Sequence, residues 1–269
     1  MTTFKEQEKA GWTEKADAYD TAFASITRQA IEPILGAAGS LEGKRLLDIC
    51  CGPGDLAAAA SDRGATVTGV DFSPTMVGIA AARAPSADIR MGDAEALTLP
   101  DDSFDIAVSA FGLWHLADAD GALREAARVL TPGGHFLYTT WLPPDEGWEM
   151  FAMLMAAIKR HGRLDVPLPP APPPFRFAEE ATARAALHDA GFTAIAFDRA
   201  VALHEPANGQ EFIDLIYKST VRAAMLIELQ APAARKAITE ELRAGAEAKR
   251  ENGRITIRWP YLLGSARAI

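Results

Sequence analysis

Cysteine is nearly absent: the chain has two in 269 residues, adjacent as Cys50 and Cys51. A structural disulfide or a metal-binding pair would need other spacing, so a reducing, cytoplasmic setting is expected. Long apolar runs are also missing. None approaches the roughly 18 residues of a membrane span, and the first residues, MTTFKEQEKAGW, lack the apolar core of a signal peptide. Basic charge is in deficit, with 27 Lys and Arg against 36 Asp and Glu and a net charge of −9. That speaks against a nucleic-acid partner, which is held mainly by Lys and Arg on phosphates. No internal repeat is evident. What remains is an ordinary globular composition, 49% hydrophobic and 23% charged, in a chain long enough for one large domain with a small cap.

The most informative stretch is Arg45 to Ala57, RLLDICCGPGDLA. Leu46 to Ile49 suits a buried strand. Gly52-Pro53-Gly54 makes a turn, and LAAAASDRG a helix that stops at Gly64. Strand, glycine turn and helix N-terminus turn backbone N–H groups and the helix dipole toward a ligand. A side chain at Gly52 or Gly54 is expected to stand where that ligand must approach. Gly52 to Ala57 also satisfies the dinucleotide pattern G-x-G-x-x-G/A, which keeps an NAD-dependent dehydrogenase open. Asp71 ends a second strand, 17 residues past Gly54, near where a βαβ unit places the carboxylate for a ribose diol. Ser73 then suits an N-cap, with Pro74 at the first helical position.

Around this core, residues 4–38 read as helical, with Trp12, Ala16 and Tyr19 on one face. Third, fourth and fifth strands are expected over 88–93, 104–111 and 135–141, with a turn at Thr131 to Gly134. A helix over 179–190 precedes a sixth strand, 193–201. A last strand lies within 254–268, interrupted at Pro260-Tyr261. Two segments exceed a minimal fold. Residues 143–177 carry Trp148, Phe151 and Met153 and then a proline-rich run that cannot be helix. Residues 208–252 read as two helices broken near Pro232. Residues 218–258 hold nine Lys and Arg against five Asp and Glu. That fits an RNA-modifying or RNA-binding face, or a helix face neutralised by i, i+4 partners.

Asp48-Ile-Cys-Cys-Gly-Pro-Gly resembles the first motif of class I S-adenosylmethionine (SAM)-dependent methyltransferases, acid-x-x-x-Gly-x-Gly. Gly92-Asp93-Ala94 resembles their adenine-recognition segment. LREAARVLTPGGHFLYTTW resembles the signature of the ubiquinone/menaquinone-type C-methyltransferase (methyltransferase type 11) group. The resemblance implies a single α/β domain, a doubly wound, mostly parallel seven-stranded Rossmann-like sheet. Residues 1–40 would then be a helical cover, and 143–177 and 208–252 cap or lid insertions. It implies cofactor contacts at Asp48, Cys50, Gly52, Gly54, Asp71, Phe72, Met76, Asp93, Ala94, Phe111 and Tyr19, with S-adenosylhomocysteine as product and no metal. Phe72 and Met76 would flank the adenine, Asp93 would accept from its amino group, and the Ala94 N–H would donate to the ring. Tyr19 or Trp12 would close over the cofactor. The implied activity (EC 2.1.1.-) is methyl transfer to a small, apolar or aromatic metabolite. His115, beyond the fourth strand, is the first candidate for a general base, or else caps a helix or holds a carboxylate. His161, His204 and Asp20 follow it.

Overall fold

The computed structural model describes residues 2–269. Its strands are β1 (Arg45–Ile49), β2 (Thr66–Asp71), β3 (Asp88–Met91), β4 (Phe104–Ala110), β5 (Leu130–Trp141), β6 (Phe192–His204), a short ladder of β7 (Arg250–Glu251) with β8 (Arg254–Ile255), and β9 (Ile257–Ala268). The main sheet has seven strands in the order β3-β2-β1-β4-β5-β9-β6. β1, β2, β3, β4 and β5 pair in parallel, whereas β9 runs antiparallel to both β5 and β6. β1 is buried on both faces, which is why Leu46, Leu47 and Ile49 do not alternate with exposed polar residues and why Asp48 is buried among them. Helices α4 (Asp55–Ser61), α5 (Pro74–Arg83), α6 (Ala119–Val129) and α8 (Glu180–Asp189) connect these strands. The order reverses between β1 and β4. Open α/β sheets bind ligands in the crevice outside the carboxyl ends of the strands at such a reversal.

Three expectations need correction. The last strand is not interrupted at Pro260, which pairs with Val201 of β6 inside β9. The Pro260 carbonyl accepts from Leu142 N at 3.0 Å, just past the end of β5. A strand residue's N–H and C=O point the same way, so the missing N–H falls where β5 has ended and no bond to β6 is lost. Thr131 to Gly134 lies within β5, as a register irregularity opposite Phe104 to Ile106. The second insertion forms three helices rather than two: α9 (Gly209–Ser219), α10 (Arg222–Glu228) and α11 (Pro232–Glu247). Pro232 starts α11 as expected, but the chain also breaks at Thr220, where the backbone is extended.

The N-terminal cover is α1 (Phe4–Ala18), a π-helical turn Tyr19–Phe23, α2 (Ala24–Thr27), a 3₁₀ turn and α3 (Ile31–Ala38). The first insertion forms α7 (Glu149–His161), and the proline-rich run after it is neither helix nor strand. α11 packs on both α7 and α9. The bases of 218–258 are mostly tied internally: Lys218 to Asp214, Lys249 to Glu149, Arg250 to Glu247 and Arg243 to Gln210. They do not form a free basic face.

In the β5–β9 ladder Gly264 is paired with Tyr138. A Cβ there would stand 2.1 Å from Tyr138 Cε1, in a ring that is fully buried and whose hydroxyl donates to the Phe177 carbonyl at 3.0 Å. Gly264→Ala should therefore destabilise by about 1–3 kcal/mol through overpacking. At about 2–4 °C per kcal/mol for a domain of this size, calorimetry should show the midpoint falling by several degrees. An unchanged midpoint would mean the ring has room to move.

Candidate active site

A cavity of about 550 Å³ opens beyond the carboxyl ends of β1, β2 and β4. At its base the chain leaving β1 meets the chain leaving β4. Cys50 and Phe111 both adopt the left-handed backbone, at φ 60° and 59°, although neither is glycine. Each such residue is strained by about 1–3 kcal/mol and tends to mark a functional site. Gly112 permits the crossing, since a Cβ there would lie 2.6 Å from Cys50 Cβ. The two loop glycines have different reasons. Gly52, at φ 52°, faces open space, with nothing within 4 Å of where its Cβ would be. Gly54, at φ 83°, packs on α5, where a Cβ would meet Ala80 Cα at 2.8 Å. Only Gly52 answers the expectation of ligand approach. Gly54 is fixed by helix packing.

Asp71 ends β2 at the cavity edge. Its Oδ2 accepts from Gly52 N and its Oδ1 from Ser73 N, both at 2.9 Å. Ser73 in turn caps α5, accepting from Met76 N, with Pro74 in the first turn. One carboxylate thus ties the glycine loop to the start of α5. Burial pushes its proton affinity up, and the two backbone donors oppose the shift. Phe72 and Met76 also line the cavity, as does Tyr19 from the π-helical turn. The Tyr19 hydroxyl bonds Thr27 at 3.1 Å, and burial pushes its pKa to about 12.

Beyond this edge the walls are aromatic. Phe111 stacks on Trp141 at 4.0 Å between centroids, Trp141 on Trp148 at 5.7 Å, and Trp148 on Phe151 at 5.0 Å. Trp114 meets Trp148 edge-on. Pro169 to Pro174 from the first insertion and Ser219 to Ala223 from the second complete the enclosure. His115 lines the same space. Its Nδ1 lies 2.7 Å from Glu8 Oε2, which also accepts from Trp12 Nε1 at 3.1 Å.

Residues 47–138 match the model of a methyltransferase domain family. A demethylmenaquinone methyltransferase of Thermus thermophilus is 44% identical over 110 residues, covering 39% of this chain and 50% of that one. A malonyl-[acyl-carrier protein] O-methyltransferase of Serratia marcescens is 34% identical over 139 residues, covering 52% and 54%. The chain spans about half the length of these curated relatives. The crystal structure of the YcgJ protein from Bacillus subtilis superposes with a TM-score of 0.59 at 23% identity, over 89% of this chain and 98% of that one. The fold is Rossmann-like, of the kind found in methyltransferases.

Within this methyltransferase fold the expected cofactor residues divide in two. Tyr19, Cys50, Gly52, Asp71, Phe72, Met76 and Phe111 line the cavity, whereas Asp48, Gly54, Asp93 and Ala94 do not. Asp48 is buried beneath the loop with Oδ2 unpartnered. Asp93 is engaged by Lys5, and its Oδ1 accepts from Glu95 N at 3.0 Å. Among the candidate bases, only His115 lines the cavity. It does not cap α6, a role taken by Asp118. His161 pairs with Glu241, His204 lies in a separate groove, and Asp20 is clamped between Arg28 and Arg83 at 2.7 Å each. Glu8 was missed by sequence reasoning. The signal available was a carboxylate interrupting the stripe Phe4, Glu8, Trp12, Ala16.

The two β-strand acids give separate tests. Burial, then the like charge of Asp71, pushes the Asp48 pKa to about 7, from 3.8 for the free side chain. Between those values the folded protein keeps a proton that the unfolded chain has lost. Stability from this group is therefore full below about pH 4 and lost as pH rises through about 7. Asp48→Asn should melt above wild type at pH 8, with the gap closing toward pH 4. A gap independent of pH would refute the burial argument.

Asp71→Ala should lower the ligand-free midpoint by several degrees. Water can reach Gly52 N at the cavity, but Ser73 is fully buried, and an orphaned N–H there costs about 1–3 kcal/mol. Asp71→Asn keeps one acceptor and should recover most of the loss. Equal midpoints for the two variants would deny the tie through Ser73. The two backbone donors are the partners that this strand-end acid has to lose.

Proposed function

We propose that this chain is a SAM-dependent methyltransferase acting on a small, apolar or aromatic acceptor. The observation that carries the reading is one continuous cavity, with the open face of Gly52 and the Asp71 carboxylate at one edge and an aromatic chamber beyond. The residues present fit the cofactor. Gly52 leaves the space a Cβ would fill, Asp71 retains lone pairs for a ribose diol, and Phe72 and Met76 offer apolar faces beside it. Tyr19 would close the opposite side. When bound, SAM supplies a methyl group on a sulfonium, already activated as a leaving group.

The chain's own task is then to orient the acceptor, exclude water and take a proton where one must leave. Phe111, Trp114, Trp141 and Trp148 form flat walls on which an aromatic acceptor can stack. The two insertions, 143–177 and 208–252, act as a lid, since both contribute lining residues to the chamber. His115 stands in the lining and serves as general base for acceptors that carry a dissociable proton.

The dehydrogenase alternative gains nothing from the topology. Dinucleotide-binding sheets continue in parallel past the fifth strand, whereas here the antiparallel β9 lies between β5 and β6. Ligand-dependent melting tests the proposal directly. SAM and S-adenosylhomocysteine at about 100 times their Kd should stabilise by about 2.7 kcal/mol, and NAD should not. Methyl transfer from labelled SAM into a panel of phenols, hydroquinones and aromatic amines, read by mass spectrometry, should then identify an acceptor. Stabilisation by NAD and none by SAM would defeat the proposal.

A further inference from the structure

Glu8 is 1% exposed, lies on α1 and lines the cavity, and its Oε1 has no partner. A buried carboxylate on a covering helix has a plain structural reading, in which it merely docks α1 through His115 and Trp12. The hydrogen-bond chemistry goes further. Trp12 Nε1 can only donate, so Glu8 Oε2 is an acceptor in that bond. The same oxygen lies 2.7 Å from His115 Nδ1. As a carboxylate that oxygen accepts from Nδ1 as well, and a neutral ring bound in this way keeps its lone pair on Nε2. Among the described residues Nε2 makes no hydrogen bond, and the imidazole lines the cavity. The ring is further held by the Trp12 indole, edge-on at 4.8 Å.

The charges around the pair come from several elements. Asp71 at the end of β2 acts on His115, and Arg222 of α10, itself in the lining, faces Glu8. Arg222 is tied to Gln7 at 2.9 Å, so it does not neutralise Glu8 directly. Three residues before Glu8, Lys5 binds Asp93 and Glu95 in the segment after β3. Glu95 in turn accepts from Ala117 N and Asp118 N, beside His115. Docking of α1 thus assembles the pair and fixes the loop that carries the histidine.

We propose that Glu8 is a positioning residue that holds His115 with Nδ1 protonated and Nε2 bare toward the cavity, for an acceptor bearing an O–H. The inference rests on the methyltransferase reading. In the step it serves, the acceptor oxygen gives its proton to Nε2, keeps the O–H electron pair as its nucleophilic lone pair, and leaves an imidazolium paired with Glu8. That proton passes to water when the product leaves. Because Glu8 rides on α1, the base is complete only with the cover in place.

Nitrogen-15 spectra of the histidine rings, recorded near pH 9 without ligand, test the pairing apart from any activity. The His115 signals, assigned by their loss in His115→Gln, should show Nδ1 protonated and Nε2 bare in wild type. Glu8→Met, which removes the acceptor, should shift the ring toward the Nε2-protonated form that free imidazole favours in water. Glu8→Gln, which keeps a carbonyl acceptor, should restore the wild-type pattern. With a methylated phenol or hydroquinone in hand, Glu8→Met should lower kcat by ~10²-fold with KM within about threefold, and Glu8→Gln by less than about tenfold.

Wild-type His115 protonated at Nε2, or a pattern unmoved in Glu8→Met, overturns the proposal. The wild-type reading needs no variant to fold. If the tautomer responds as expected while wild type methylates nothing in the panel, the pairing is upheld and the proposed function beneath it falls. If O–H acceptors turn over at the wild-type rate in Glu8→Met, the residue only docks α1 and the proposal is wrong.

Discussion

The structure around the cavity depends on one buried carboxylate and the two backbone N–H groups it accepts. Asp71 joins the loop after β1 to the start of α5. β1 and β2 are adjacent parallel strands, so their carboxyl ends already lie side by side. The carboxylate converts that adjacency into a fixed cradle, with Gly52 held in its left-handed conformation and Ser73 in place to cap α5. The arrangement has an electrostatic penalty, since Asp48 lies buried below with no ion-pair partner. Burial pushes the Asp48 proton affinity up, and the like charge of Asp71 adds to it. The fold tolerates this in the region where a ligand would make contact, as strained and under-satisfied groups at functional sites do.

Much of this was legible in the sequence because it is local. The strand-turn-helix at Arg45 to Ser61, Ser73 and Pro74 opening α5, and Pro232 opening α11 all follow from rules that act over a few residues. What was not legible is non-local. Pro260 reads as a strand breaker, yet whether its missing N–H matters depends on where β5 ends, about 120 residues earlier. Gly54 reads as a ligand-facing glycine, yet its constraint is Ala80 on the next helix. Asp93 reads as free for a ligand, yet Lys5 from the far end of the chain already holds it. Glu8 shows in the sequence only as an acid in an apolar stripe, because its partner is 107 residues away.

The two insertions show the same division. The break at Pro232 follows from a local rule, but the further break at Thr220 and the packing of the helices were not readable. α7 and α9 each pack on α11, which lets segments separated by the whole of β6 close one chamber. The proline run contributes a surface that needs no hydrogen-bonded partner strand, because polyproline backbone satisfies itself with solvent. A wall of that kind can be apolar toward the cavity without exposing a sheet edge.

The sign of the charge in the cavity bears on which cofactor it suits. Two carboxylates, Glu8 and Asp71, line it, and Asp48 lies just beneath. The lining contains one Arg and no Lys, and that Arg222 is turned to Gln7 and the Pro169 carbonyl. The arginines nearest the glycine loop, Arg28 and Arg83, are both committed to Asp20 and Asp55. A dinucleotide would bring two phosphate charges into this field with no free cation to meet them, and their desolvation would go uncompensated. A sulfonium and an ammonium meet the opposite situation: the buried acids that destabilise the ligand-free loop become favourable partners once a cation is enclosed with them. The glycine pattern alone leaves the two cofactors open, because backbone N–H groups serve either. The acids around it favour a cation.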